Sequence, residues 1–155
     1  MTHILTAPTM PKRRVAATVL VCALLGLAGA MATSPGSASA ATGTCDPGEF
    51  CMYYLTNFAG GLYEFGGSDS NLNNDHFENA NTGSIVGNNT ESVWNRGVSN
   101  SSGLVHVLVY SGTSYTGSAL CVTQGRKANL PSNWQNNIES YRWVDTNTCN
   151  RFTHL

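Results

Sequence analysis

Tyr53-Tyr54-Leu55-Thr56-Asn57-Phe58-Ala59-Gly60 and Tyr110-Ser111-Gly112-Thr113-Ser114-Tyr115-Thr116-Gly117 share one pattern: aromatic, four residues, aromatic, one residue, Gly. A second matched pair follows each copy, Asn88-Asn89-Thr90-Glu91-Ser92 and then Asn136-Asn137-Ile138-Glu139-Ser140. The order A, B, A′, B′ means that one supersecondary unit is used twice. The spacing within each A copy has a mechanical reading. A hairpin folded back over its own sheet packs a strand aromatic against a turn aromatic and needs Gly where the bend takes positive φ. The later Ser then ties the turn down through hydroxyl-to-backbone hydrogen bonds. Tyr53, Phe58, Gly60 and Ser92 form one such set, and Tyr110, Tyr115, Gly117 and Ser140 the other.

The sequence around these marks reads as short strands. Phe50–Tyr54, Leu62–Phe65, Leu104–Tyr110, Ser118–Thr123 and Ser140–Val144 are rich in aromatic and β-branched residues and are separated by Gly and Asn. Such spacing predicts an all-β sandwich or Greek-key barrel. Pro131 could open a single short helix or turn over Leu130–Gln135.

The N-terminus reads as a leader. Lys12, Arg13 and Arg14 precede an apolar run over Val15–Ala32, and Ala38-Ser39-Ala40 fits a small-residue cleavage site. Residues 1–40 are therefore expected to be a secretory signal, with a single domain at 41–155 holding Greek keys at about 45–97 and 103–149. Removing three of the eight basic residues leaves five against nine acidic ones, a net charge of −4. That balance argues against nucleic acid, which needs clustered Lys and Arg. No stretch after residue 40 is apolar long enough to span a bilayer. Four cysteines remain, and three pairings are open to them. Cys45–Cys51 with Cys121–Cys149 is preferred because each bond then closes within its own half. Their spacing does not suit zinc.

The doubled aromatic motif with its Asn-rich stretch ending in Ser resembles the two-Greek-key βγ-crystallin domain. Cys45-Asp46-Pro47-Gly48-Glu49-Phe50-Cys51-Met52-Tyr53, taken with Ser92-Val93-Trp94-Asn95, looks like the secreted peptidase inhibitor family typified by the Streptomyces metalloproteinase inhibitor. The resemblance implies an all-β, disulfide-stapled βγ-crystallin-like sandwich whose partner is an extracellular protease, a zinc metalloproteinase by that likeness. It places the inhibitory contact at Cys121-Val122. In the family's type member that cysteine closes a small loop with a second one five positions on, whereas here that place is Arg126 and the next cysteine is Cys149. The alternative is that Val122 is an ordinary strand residue beside a structural disulfide.

Calcium is the second implication, because many microbial domains of this fold bind it through Asn/Asp-rich stretches ending in Ser. The aligned residues are Asn89, Glu91, Asn137 and Glu139, with Glu where the family places Ser or Thr. Oxygen donors suit calcium, and turn capping is the alternative use of these Asn residues. No cofactor is required on either reading. A third reading is a structural or surface-recognition module that uses the Asn-rich stretch from Gly66 to Asn89, with Asp69, Asp75, His76, Phe77 and Glu78, as a partner surface or as solvated filler. Trp94, Trp134 and Trp143 are expected in or beside the core. His76, His106 and His154 lie in no nucleophile or metal motif, so no enzyme activity is expected.

Overall fold

The structure, a computed structural model, describes residues 44–78 and 83–155; the expected leader, residues 1–40, lies outside them. Among the described residues the chain forms β1 (Phe50–Leu55), β2 (Ala59–Phe65), β3 (Ser92–Asn95), β4 (His106–Gly112), β5 (Thr116–Val122), β6 (Lys127–Asn129), β7 (Ser140–Val144) and β8 (Thr153–His154). Two four-stranded sheets result, ordered β2-β1-β3-β6 and β7-β4-β5-β8. All neighbouring strands are antiparallel except β8, which runs parallel to β5.

Each half lends a piece of chain to the other's sheet. From the second half, β6 lies beside β3, with Val93 opposite Ala128. The reciprocal crossing from the first half is a single residue, Asp69, which exchanges two backbone hydrogen bonds of 2.8 Å with Tyr141 of β7. Val93 and Tyr141 each follow the Ser of their own repeat, so the two crossings occupy equivalent places.

The repeated turn forms as its chemistry requires. Tyr53 and Phe58 meet edge-on with ring centroids 5.7 Å apart, and Tyr110 and Tyr115 meet at a tilt with centroids 5.8 Å apart. Gly60 and Gly117 have φ of 91° and 80°. The Ser92 hydroxyl accepts from Phe58 N–H at 3.1 Å and donates to the Leu55 carbonyl at 2.6 Å. Ser140 does the same with Tyr115 N–H at 3.0 Å and the Gly112 carbonyl at 2.6 Å. The turn needs more than Gly, however. Asn57, Phe58, Ser114 and Tyr115 also take positive φ, a conformation most side chains avoid.

Strand alternation builds three layers of apolar packing. Phe50, Met52, Val93, Val107, Val109, Leu120, Val122 and Tyr141 fill the space between the sheets. On the outer face of the first sheet Cys51, Tyr53 and Leu62 pack with Cys45; on that of the second, Leu108, Tyr110 and Cys121 pack with Val144 and Cys149. Burial on both faces is why the stretch before Tyr110 is continuously apolar rather than alternating. The strand begins at His106, two residues later than the sequence pattern suggests, and Leu104 is left exposed.

The outer clusters are closed by disulfides, Cys45–Cys51 and Cys121–Cys149. Cys149 comes from a one-turn helix, α1 (Thr146–Cys149), capped by Asp145, whose carboxylate accepts from Thr148 N–H at 2.7 Å. Four residues are too few to show a helical period in sequence. The segment after Pro131 closes a turn rather than a helix, with Trp134 and Gln135 N–H both reaching the Pro131 carbonyl. The Asn-rich stretch after Gly66 is neither filler nor free surface along its whole length: Leu72, Phe77 and Val86 are buried in the central core. Among the described residues no helix is long and apolar enough to cross a membrane.

Candidate functional site

The two Asn-rich segments lie side by side across the boundary between the halves. Asn88 N–H reaches the Ile138 carbonyl at 2.9 Å, and Asn136 N–H reaches the Thr90 carbonyl at 2.8 Å. Both asparagines hold positive φ, 57° and 56°, which Asn tolerates better than most residues. Their side chains then meet the glutamates of the opposite copy. Asn88 Nδ2 donates to Glu139 Oε1 at 2.6 Å, and Asn136 Nδ2 approaches Glu91 Oε1 at 3.5 Å. Glu91 also accepts from Thr56 N–H through Oε2 at 3.0 Å.

The expected donors Asn89 and Asn137 do not join them. Asn89 Nδ2 bonds the Gly87 carbonyl and Asn137 Nδ2 the Asn133 carbonyl, which is turn capping. Reading each stretch within its own copy does not reveal that Asn88 and Asn136 are the asparagines that meet the glutamates. The repeat itself carried the missing signal, since two like units packed as mates set matched segments against each other.

Cys121 and Val122, the expected inhibitory contact, are both wholly buried. They end β5, and neighbouring residues of a strand face opposite sides. Val122 therefore enters the central core while Cys121 turns outward beneath α1, bonded to Cys149. The Val122 carbonyl accepts from Asn95 Nδ2 at 2.9 Å. A residue so placed offers no surface to a protease cleft, and the expectation at this pair is corrected: here the disulfide staples sheet to helix instead of framing a bait loop.

A different segment has the form that such a contact needs. Residues 97–104 connect the halves and carry Val98 at 50% and Leu104 at 39% exposure. Their base is fixed by Asn95, a fully buried carboxamide. Asn95 Oδ1 accepts from Gly97 N–H at 2.8 Å, and Nδ2 donates to the Val105 carbonyl at 3.0 Å as well as to Val122. One side chain thus holds both ends of the loop. Next to it, Arg96 exchanges backbone hydrogen bonds with Gly48 and Glu49, and its guanidinium donates to the Cys45 carbonyl. The loop root is therefore seated on the disulfide-closed turn 45–51.

Beside the loop runs an open groove of about 290 Å³ lined by Gly48, Gly66, Gly67, Val98, Leu104 and Trp143, among others. Trp143 is oriented by its Nε1–H donating to the Gly67 carbonyl at 2.9 Å. Gly97 has to be glycine, because a Cβ there would come within 2.6 Å of the Trp143 ring and 2.7 Å of the Val105 carbonyl.

Gln124 braces the same root, its Nε2 donating to the Gly97 carbonyl at 2.9 Å while its N–H donates to His106 Nδ1 at 3.0 Å. Burial holds the His106 imidazole below its ordinary pKa of 6.5, His154 adds to this, and Asp145 opposes it. Two groupings of Cys with acids or His, Cys121/Cys149/His154 and Glu49/Cys51/Glu64, lie close enough to hold a metal. All three cysteines are in disulfides and supply no thiolate.

Residues 38–107 match the model of peptidase inhibitor family I36. No curated protein matches the chain. A solved structure from work on the evolution of the eye lens βγ-crystallin domain fold superposes with a TM-score of 0.50 at 14% identity, covering 70% of this chain and 95% of that one. A βγ-crystallin from Ciona intestinalis gives 0.45 at 19%, covering 63% and 100%. A βγ-crystallin domain from Clostridium beijerinckii gives 0.45 at 18%, covering 63% and 99%. Taken with the paired Greek keys and their exchanged crossings, the superposition shows a βγ-crystallin-like fold, and over residues 38–107 the chain is similar to peptidase inhibitor family I36.

Proposed function

We propose that the protein is secreted, inhibits an extracellular protease of the zinc metalloproteinase class, and meets it with the loop Gly97–Leu104. The observation that carries the reading is the anchoring of that loop: a buried carboxamide holds both ends while Val98 and Leu104 stay exposed. An inhibitor gains affinity when its contact segment is ordered before binding. The segments that resemble the inhibitor family, Cys45–Tyr53 and Ser92–Asn95, converge at the root of this loop. Two disulfides support an exported protein, since such bonds persist in oxidising compartments.

The test is titration of the purified protein against a thermolysin-like zinc protease with a small substrate. Val98→Asp and Leu104→Asp should each weaken inhibition about tenfold or more, as loss of an apolar anchor does, and leave the melting temperature unchanged. Undiminished inhibition by both variants would exclude the loop, and absence of inhibition by the parent would exclude the function. Val122→Asp is no substitute for these variants. It places a charge in the central core and should unfold the protein.

A second reading is calcium binding where Asn88 meets Glu139 and Asn136 meets Glu91. Its support is the cross-unit pairing of a carboxylate with a carboxamide at each position. A half-turn of either carboxamide presents Oδ1 instead of Nδ2, so each pair can offer oxygens to a hard cation. A calcium-dependent rise in melting temperature that Glu91→Gln with Glu139→Gln removes would favour it.

A further inference from the structure

His106 stands at the first position of β4, and its ring joins three parts of the chain. Nδ1 accepts from Gln124 N–H at 3.0 Å, and Nε2 lies 3.1 Å from Thr146 Oγ1 in α1. A backbone N–H can only donate, so Nδ1 carries no proton in this arrangement and the ring's single proton is on Nε2. Gln124 carries the connection onward. Its Nε2 donates to the Gly97 carbonyl at 2.9 Å, and that carbonyl belongs to the peptide unit leading into Val98. The relay thus runs from the imidazole through both ends of Gln124 to Val98, the most exposed large apolar side chain among the described residues.

Protonation reverses the first contact. An imidazolium carries a proton on both nitrogens, so Nδ1–H then faces the N–H of Gln124, donor against donor. The other backbone ties of this turn are Gly125 N–H to the Asn95 carbonyl at 2.9 Å and Arg126 N–H to the Thr123 carbonyl at 3.0 Å. Neither involves residue 124, which is therefore the part that yields. The ring is half-buried, so a proton reaches it from solvent without unfolding. Its strand neighbours bring no charge: Val144 faces it on β7, and β5 ends beside it at Val122. The titratable groups that act on it are His154 of β8, which disfavours the imidazolium, and Asp145 ahead of α1, which favours it. Burial is the largest influence and, with His154, holds the transition below pH 6.5.

We propose that His106 is a positioning residue for the 97–104 loop: the neutral ring orders the loop root through Gln124, and the protonated ring releases it. Inhibition then weakens in acid, a consequence that rests on Gly97–Leu104 being the contact loop. The sign follows from linkage: the contact is complete above pH 6.5 and is lost as pH falls through the lower folded value. A contact segment that must be ordered on binding binds less tightly, and the loss here should be about fivefold, the worth of one hydrogen bond.

The test measures inhibition of a thermolysin-like zinc protease from about pH 8 to 5, the range in which histidine titrates. The parent is compared with His106→Asn, whose Oδ1 can accept from Gln124 N–H at any pH. The ratio of the two inhibition constants at each pH removes the protease's own pH dependence. Over this range the parent should lose about fivefold relative to His106→Asn, and His154→Gln should behave as the parent does. Gln124→Ala should inhibit at every pH as weakly as the parent does at the acid end. Without protease, NMR order parameters over 97–104 should fall as His106 titrates in the parent and stay constant in His106→Asn. A ratio independent of pH would overturn the proposal, as would order parameters that fall equally in both proteins. If His106→Asn does not fold, a parent to Gln124→Ala ratio that is flat with pH does the same. A parent that inhibits at no pH removes the contact-loop reading, and the order parameters then decide the role of His106 by themselves.

Discussion

Replacing Ser92 by Ala tests the mechanics of the repeated turn. The Ser92 hydroxyl is fully buried, accepts from Phe58 N–H at 3.1 Å and donates to the Leu55 carbonyl at 2.6 Å. Alanine fits the strand but leaves one donor and one acceptor of the backbone without partners. At about 1 kcal/mol for each hydrogen bond, with an added cost for groups left unsatisfied, the loss should be about 2–3 kcal/mol. For a domain of this size that lowers the melting temperature by roughly 8–12 °C. Ser140→Ala removes the matching pair at Tyr115 and Gly112 and should cost the same. The two turns share no partner, so the double variant should lose the sum of the single losses. Ser111→Ala is the control: its hydroxyl accepts one hydrogen bond, from Ser118 N–H, at an exposed site, and its loss should cost under about 1 kcal/mol. Equilibrium urea unfolding reads all four. Single variants within about 0.5 kcal/mol of the parent, the range of an ordinary surface change, would refute the claim that these hydroxyls hold the turns.

Two further outcomes follow from the loop root and the disulfides. His106 accepts from Gln124 N–H only while Nδ1 is unprotonated, and its folded-state pKa lies below the unfolded 6.5. Its stabilising contribution is therefore complete above pH 6.5 and is lost as pH falls through the lower folded value. An NMR titration should place the His106 midpoint below 6.5, and a midpoint at or above 6.5 would contradict the reading. The disulfides span 6 and 28 positions, so loop-closure entropy assigns them about 2 and about 3.5 kcal/mol. Cys121→Ala/Cys149→Ala should thus destabilise more than Cys45→Ala/Cys51→Ala by urea unfolding, while the latter pair, lying under the loop root, should lose more inhibition.

The parts of the structure legible in the sequence are those whose causes are local. A turn that needs aromatic, aromatic and Gly at fixed spacing writes those residues down twice, and with them the strands on either side. The pairing of Asn88 with Glu139 and of Asn136 with Glu91 is not local, because it depends on how one half packs on the other. The same holds for Asp69 against Tyr141, a crossing only one residue long and too short to show a strand pattern. Asn95 was visible only as part of a family-like stretch. Its role arises from three partners, Gly97, Val105 and Val122, the last of them 27 positions away.

The failure at Cys121-Val122 shows how far a resemblance carries. A reactive bond beside a cysteine works as bait when the disulfide closes a small ring and forces the chain outward. Here the partner cysteine is 28 positions on and sits in α1, so the bond ties the end of β5 to that helix on the sheet's outer face. The small ring in this protein is Cys45–Cys51, and what rests on it is the base of 97–104. Rigidity and exposure, the two properties that a contact loop must combine, are thus separated at Val122 and joined at Val98. On physical grounds an inhibitory contact belongs where they coincide, whatever position it holds in a relative.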